Sequence, residues 1–167
     1  MASGDTLLVF LPVNNQPPAS NSATFDTRNS HLVLDFDATT DEEAVFAAVM
    51  PRSYGGGGVT ATIVWMASTA TSGNCVWQAA FERHQDDTDD LDTDSFAAFQ
   101  GSGAVAAPTA SGEAGYDTIA FTNGAQMDSV AVGESFRFKI RRDADDTSAT
   151  DSMTGDAELL RVEIRET

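Results

Sequence analysis

Residues 134–142 read ESFRFKIRR, and their alternation decides the fold. Phe136, Phe138 and Ile140 fall on one side of an extended chain, with Arg137, Lys139 and Arg141 on the other, because successive side chains of a strand point to opposite faces. A helix would scatter the same residues around its axis. Two more stretches carry the period. Residues 157–165, AELLRVEIR, set Leu160, Val162 and Ile164 against Arg161, Glu163 and Arg165. Residues 75–83, CVWQAAFER, place Cys75, Trp77, Ala79 and Phe81 together. One apolar face and one polar face is the pattern of an antiparallel sheet wetted on one side.

On either side of these stretches, short apolar runs recur at 6–11 (TLLVFL), 31–37, 43–50, 59–67 and 116–122, with a minor one near 22–26. Gly, Asp, Ser, Thr and Pro separate them. The spacing predicts an all-β chain: a single antiparallel β-sandwich, a jelly roll of about eight strands with long acidic and Gly/Ser-rich loops. One short helix is expected over 93–100 (TDSFAAFQ), capped by Asp92 or Asp94 and carrying Phe96 and Phe99. The breaks are a linker at 14–22 (NNQPPASNS), a four-glycine turn at 55–58, a Gly/Ala/Ser connection over 100–115 and an acidic one over 143–155. The expected organisation is an N-terminal strand and flexible linker at 1–21, followed by the sandwich at 22–167.

The first run is apolar at every position from Leu7, so both of its faces seek burial. It could insert into its own sandwich or lie against a neighbouring subunit. Leu7, Leu8, Val9, Phe10 and Leu11 are therefore the candidate partner-contact residues.

Composition narrows the function. The 167 residues carry 26 acids and 9 bases, a net charge of −17, which lacks the basic footprint that nucleic acid and anionic membranes require. Lys139 is the only lysine. The single cysteine, Cys75, excludes an intramolecular disulfide, and its place beside Trp77 in the inward set reads as a small buried apolar group. No window is apolar for long enough to span a bilayer, and the start of the chain lacks the basic segment of a signal peptide.

Catalytic patterns are thin: there is no nucleophile elbow, zinc-protease helix or phosphate loop. His84 stands near Glu82 and Asp86 in a chain rich in serine, a coincidence such a composition makes cheap. Asp90, Asp92 and Asp94 have D-x-D-x-D spacing, but Ser95 and Gly101 occupy the positions where an EF-hand needs Gly and Glu. The loop reads as solvated and acidic, and Asp143, Asp145 and Asp146 are read the same way. Arg137, Lys139 and Arg141 read as a cross-strand salt ladder against 157–165, with Arg141 and Arg142 pairing nearby acids or Glu163. Trp65 and Trp77 belong to the core. The expectation is a non-enzyme with no cofactor and no metal.

Three stretches together resemble a known group. They are TIVWMASTATSGNCVWQAAFERH (62–84), LDTDSF (91–96) and RRDADDTSATDSMTGDAELLRVEIRE (141–166). They are similar to small β-rich virion structural proteins of tailed bacteriophages. The resemblance implies a head decoration (cement) protein: a jelly-roll homotrimer, made in the host cytoplasm, that binds the major capsid protein on the outer surface of the shell. The alternative is a tail- or fibre-associated adhesin or carbohydrate-binding β-sandwich.

Overall fold

A computed structural model of the chain describes residues 4–167; residues 1–3, with which the 1–21 segment begins, lie outside them. Among the described residues, ten strands form two packed antiparallel sheets, a jelly-roll sandwich. They are β1 (Thr6–Phe10), β2 (Thr24–Arg28), β3 (His31–Phe36), β4 (Glu43–Val49), β5 (Val59–Ala67), β6 (Asn74–His84), β7 (Gln100–Ala106), β8 (Gly115–Phe121), β9 (Ser135–Arg142) and β10 (Ala157–Glu166). The larger sheet runs β2-β3-β10-β5-β8, with β1 also on β10; the smaller runs β4-β9-β6-β7.

The inward alternation of β9 and β6 is as expected. Across the β6–β9 ladder Ile140 pairs with Ala79 and Phe138 with Phe81, and Phe136, Cys75 and Trp77 are buried with them. Trp65 of β5 packs edge-on against Trp77 with ring centroids 5.9 Å apart, an arrangement that aromatic quadrupoles favour. The Trp65 indole N–H donates to Asp117, so its polar handle is satisfied.

The first strand joins the larger sheet. β1 pairs with β10 from Thr6 to Phe10, and the Phe10 ring stacks 5.0 Å from Phe46 and 5.8 Å from Phe138. The stretch read as a flexible linker then crosses between the sheets. A 3-10 turn at Pro12–Asn14 leads to Asn15 and Gln16, which bond to Val45 of β4 at 3.0 and 2.7 Å.

Five local expectations are corrected. The Gly/Ala/Ser connection contains β7, which pairs with β6 despite its small side chains because the backbone supplies the ladder. No helix forms at 93–100: the Ala97 amide bonds to the Phe81 carbonyl, drawing the chain along the edge of β6. Arg137, Lys139 and Arg141 do not face β10. β9 lies between β4 and β6, so they pair with Glu82, Glu43 and Asp41. Arg142 is wholly buried on Asp151 and does not reach Glu163 or the acids beside it. In β10, Leu159 shares the inward face with Val162 and Ile164, because a bulge at Leu160 resets the parity.

Candidate functional site

That bulge builds a groove on the surface. One edge of β10 is covered in two parts: β3 pairs with it as far as Leu159, and β1 takes over from Val162. Leu160 and Arg161 sit at the handover, where neither strand covers them. The chain leaving β1 and the start of β3 flank the gap, and β5 and β8 extend its floor. The result is an open groove of about 460 Å³ whose walls include Leu11, Val13, His31, Leu32 and Tyr116.

Its outer row has a simple origin. Arg161 of β10 pairs with Val64 of β5, and Val64 pairs with Tyr116 of β8, so the three side chains line up across three strands. Val64 is nearly buried and forms a flat apolar floor, while Tyr116 is 63 % exposed. The Arg161 guanidinium donates across the floor to the Tyr116 hydroxyl at 3.4 Å. Six of the nine cationic side chains, among the described residues, have a carboxylate partner; Arg161 is not among them. An exposed ring beside a cationic donor and an imidazole can stack on an apolar ring face and donate to hydroxyl or carboxylate oxygens.

The expected partner-contact residues divide. Phe10 is in the core, and Leu7 and Leu8 pack against it. Val9 and Leu11 remain 48 % and 45 % exposed, and Leu11 is part of the groove wall. Sequence reasoning did not single out Tyr116 or Arg161. The available signal was parity: in YDTIAFT, Tyr116 shares its side with Thr118 and Ala120, opposite buried Ile119 and Phe121.

The smaller sheet presents a different surface. Its outward cations are each neutralised and covered: Phe96 lies 4.4 Å from Lys139 and 5.1 Å from Arg137, and Phe99 lies 4.1 Å from Arg141. Beside it, Ser135 Oγ approaches His84 Nδ1 at 3.4 Å. Glu82, near His84 in the sequence, is engaged with Arg137 and fully buried.

The acidic stretches are built into turns. Asp89 accepts from Arg83 and the Gln85 amide, and Asp90 accepts from the Asp92 amide. Carboxylates converge elsewhere, in Asp26, Asp35 and Glu158 and in Asp41, Asp143 and Asp145. In the second group Asp143 is occupied by Thr147 and Ser148. Burial pulls the Asp143 carboxyl upward, but the Ser148 and Thr147 hydrogen bonds outweigh it and hold it at about 2. Asp35 goes the other way: burial, then the charges of Asp156, Glu158, Asp26 and Glu42, push it up to about 6.

No protein-family model matches the sequence, and no curated protein does. Solved structures share the fold. The CBM35 module of Cellvibrio japonicus Abf62 aligns with a TM-score of 0.51 at 10 % identity, over 95 % of this chain and 92 % of that one. The CBM22-1 xylan-binding domain of Paenibacillus barcinonensis Xyn10C aligns with a TM-score of 0.49 at 11 % identity, over 99 % and 96 %. The xylan-binding module CBM15 does so with 0.49 at 11 %, over 100 % and 94 %. At such identities the likeness is one of fold. The class defined is the jelly-roll β-sandwich.

Proposed function

We propose that this chain is a non-catalytic carbohydrate-binding β-sandwich that holds a glycan in the groove at the β1/β3 handover. The observation that carries the reading is the exposed Tyr116 ring beside Arg161, over the apolar floor of Val64. A sugar ring has an apolar C–H face and a rim of hydroxyls. The Tyr116 ring and Val64 match the face; Arg161 and His31 supply hydrogen-bonding groups for the rim. A shallow, open groove suits an extended chain of sugars. The shared fold supports the reading, and the test is a glycan array followed by calorimetric titration of the full chain and its Tyr116→Ala variant.

A second reading keeps the virion role implied by the sequence resemblance. One observation favours it: Val9 on β1 and Leu11 just after it are half exposed, and β1 is paired along one edge to β10; an open strand edge can accept a partner strand. Such a homotrimer would show three times the 17.6 kDa chain mass by light scattering. Its association would be lost on exchanging Val9 and Leu11 for Ser.

A further inference from the structure

We propose that Asn123 is a self-modifying position: its side-chain amide is displaced by the backbone nitrogen of Gly124, and the change loosens the loop cavity at this end of the sandwich. The inference is independent of the glycan reading. Asn123 and Gly124 follow β8 in an exposed turn. The Gly124 amide is not held by a strand ladder. Its hydrogen bond goes to the Oδ1 of Asn123 itself at 2.9 Å, so the nucleophilic nitrogen already lies against the carbonyl it would attack. Gly124 has a φ of 99°, and nothing lies within 4 Å of where a Cβ would be. The attacking nitrogen therefore carries no side chain that obstructs its approach.

The chemistry balances without oxidant or cofactor. The Gly124 nitrogen gives up its proton and forms a bond to Cγ of Asn123. The Cγ–Nδ2 bond breaks and ammonia leaves with the proton, closing a five-membered succinimide. Water then opens the ring at either carbonyl, leaving aspartate or isoaspartate.

Local geometry makes the change consequential. Asn123 Nδ2 donates to the Gly56 carbonyl at 2.9 Å, joining this turn to the four-glycine loop. A carboxylate in its place sets two acceptors face to face and loses that bond. Isoaspartate also lengthens the main chain beside Gly124, whose carbonyl accepts from the Met127 and Ser129 amides at 2.9 and 2.8 Å. These two loops wall a cavity of about 330 Å³ lined by Tyr54, Gly56, Asn123, Val130 and Val132.

The experiment is incubation of the folded full-length chain at mildly alkaline pH, with peptide mapping by mass spectrometry and isoaspartyl detection over time. The expected result is a gain of one mass unit at Asn123 that accumulates several-fold faster than at Asn21 and Asn29, both followed by serine. Asn123→Gln, which would have to close a larger ring, should abolish the modification while keeping the fold. Asn123→Asp should raise hydrogen exchange in residues 54–58 and 122–132. Modification at Asn123 no faster than at Asn21 and Asn29 would overturn the self-modification. Unchanged exchange in Asn123→Asp would overturn its effect on the cavity.

Discussion

Tyr116 and Arg161 stand on either side of Val64 in one row across three strands, and the guanidinium spans that row to reach the phenol oxygen at 3.4 Å. The row exists because of the extra residue in β10. With strict alternation Arg161 would point into the core; the bulge at Leu160 turns it outward.

The buried ion pair of Arg142 and Asp151 fastens the long acidic connection to β9. Arg142 donates twice to Asp151, at 2.8 and 2.7 Å, and to the Gly155 and Met153 carbonyls at 2.8 and 2.6 Å, with neither side chain meeting solvent. Asp151→Ala leaves an uncompensated buried cation, which costs ~3–5 kcal/mol. Urea denaturation should show that loss. A change below about 1 kcal/mol, the scale of a surface pair, would contradict it.

Gly73 lies between β5 and β6 with a φ of 90°, and a Cβ there would meet the Ser152 carbonyl oxygen at 2.6 Å. Gly73→Ala adds a backbone clash to left-handed strain, and should lower stability by ~2 kcal/mol or more. A neutral effect in thermal denaturation would show that the 152–153 segment moves aside freely.

Much of the fold is legible in the sequence because sheets announce themselves by parity. The inward sets of β6 and β9 can be read directly from CVWQAAFER and SFRFKIRR. What escapes notice escapes for physical reasons. β7 has Gly, Ser and Ala where a strand usually shows β-branched residues, and it is held by main-chain bonds to β6. The salt ladder is visible as a basic face, but its partners depend on sheet order, which no local pattern reports. The groove is least visible, since it needs the bulge, the β1/β3 handover and the β5–β8 register at once.

Stability should be greater in mild acid than at neutral pH. The Asp35 carboxyl is pushed up to about 6 in the folded chain, above the 3.8 of an unperturbed aspartate. The folded state thus binds the proton more tightly, so stability rises as pH falls from about 6 and is lost as pH rises through that value. Burial raises Asp117, Asp41 and Glu42 in the same direction. Asp143, held at about 2, acts oppositely and withdraws its contribution only in strong acid. Asp35→Asn should raise the melting temperature at neutral pH and flatten its pH dependence; an unchanged profile would contradict the clustering of charge around Asp35.

The cations over which Phe96 and Phe99 lie keep their carboxylate partners without the rings. Phe96→Ala should therefore cost only ~0.5–1 kcal/mol for its exposed cation–π contacts. It should leave glycan binding untouched, since it lies on the other sheet. A melting-temperature drop as large as that of a core aromatic would contradict this.

The most direct measurement is calorimetric titration of the full chain and of Tyr116→Ala with the best ligand from a neutral and acidic glycan array. The account predicts binding by the native chain, weakened by ~1–2 kcal/mol, about five- to thirty-fold, when the ring is removed, at an unchanged melting temperature. An array without hits, or equal affinity in the variant, would contradict it.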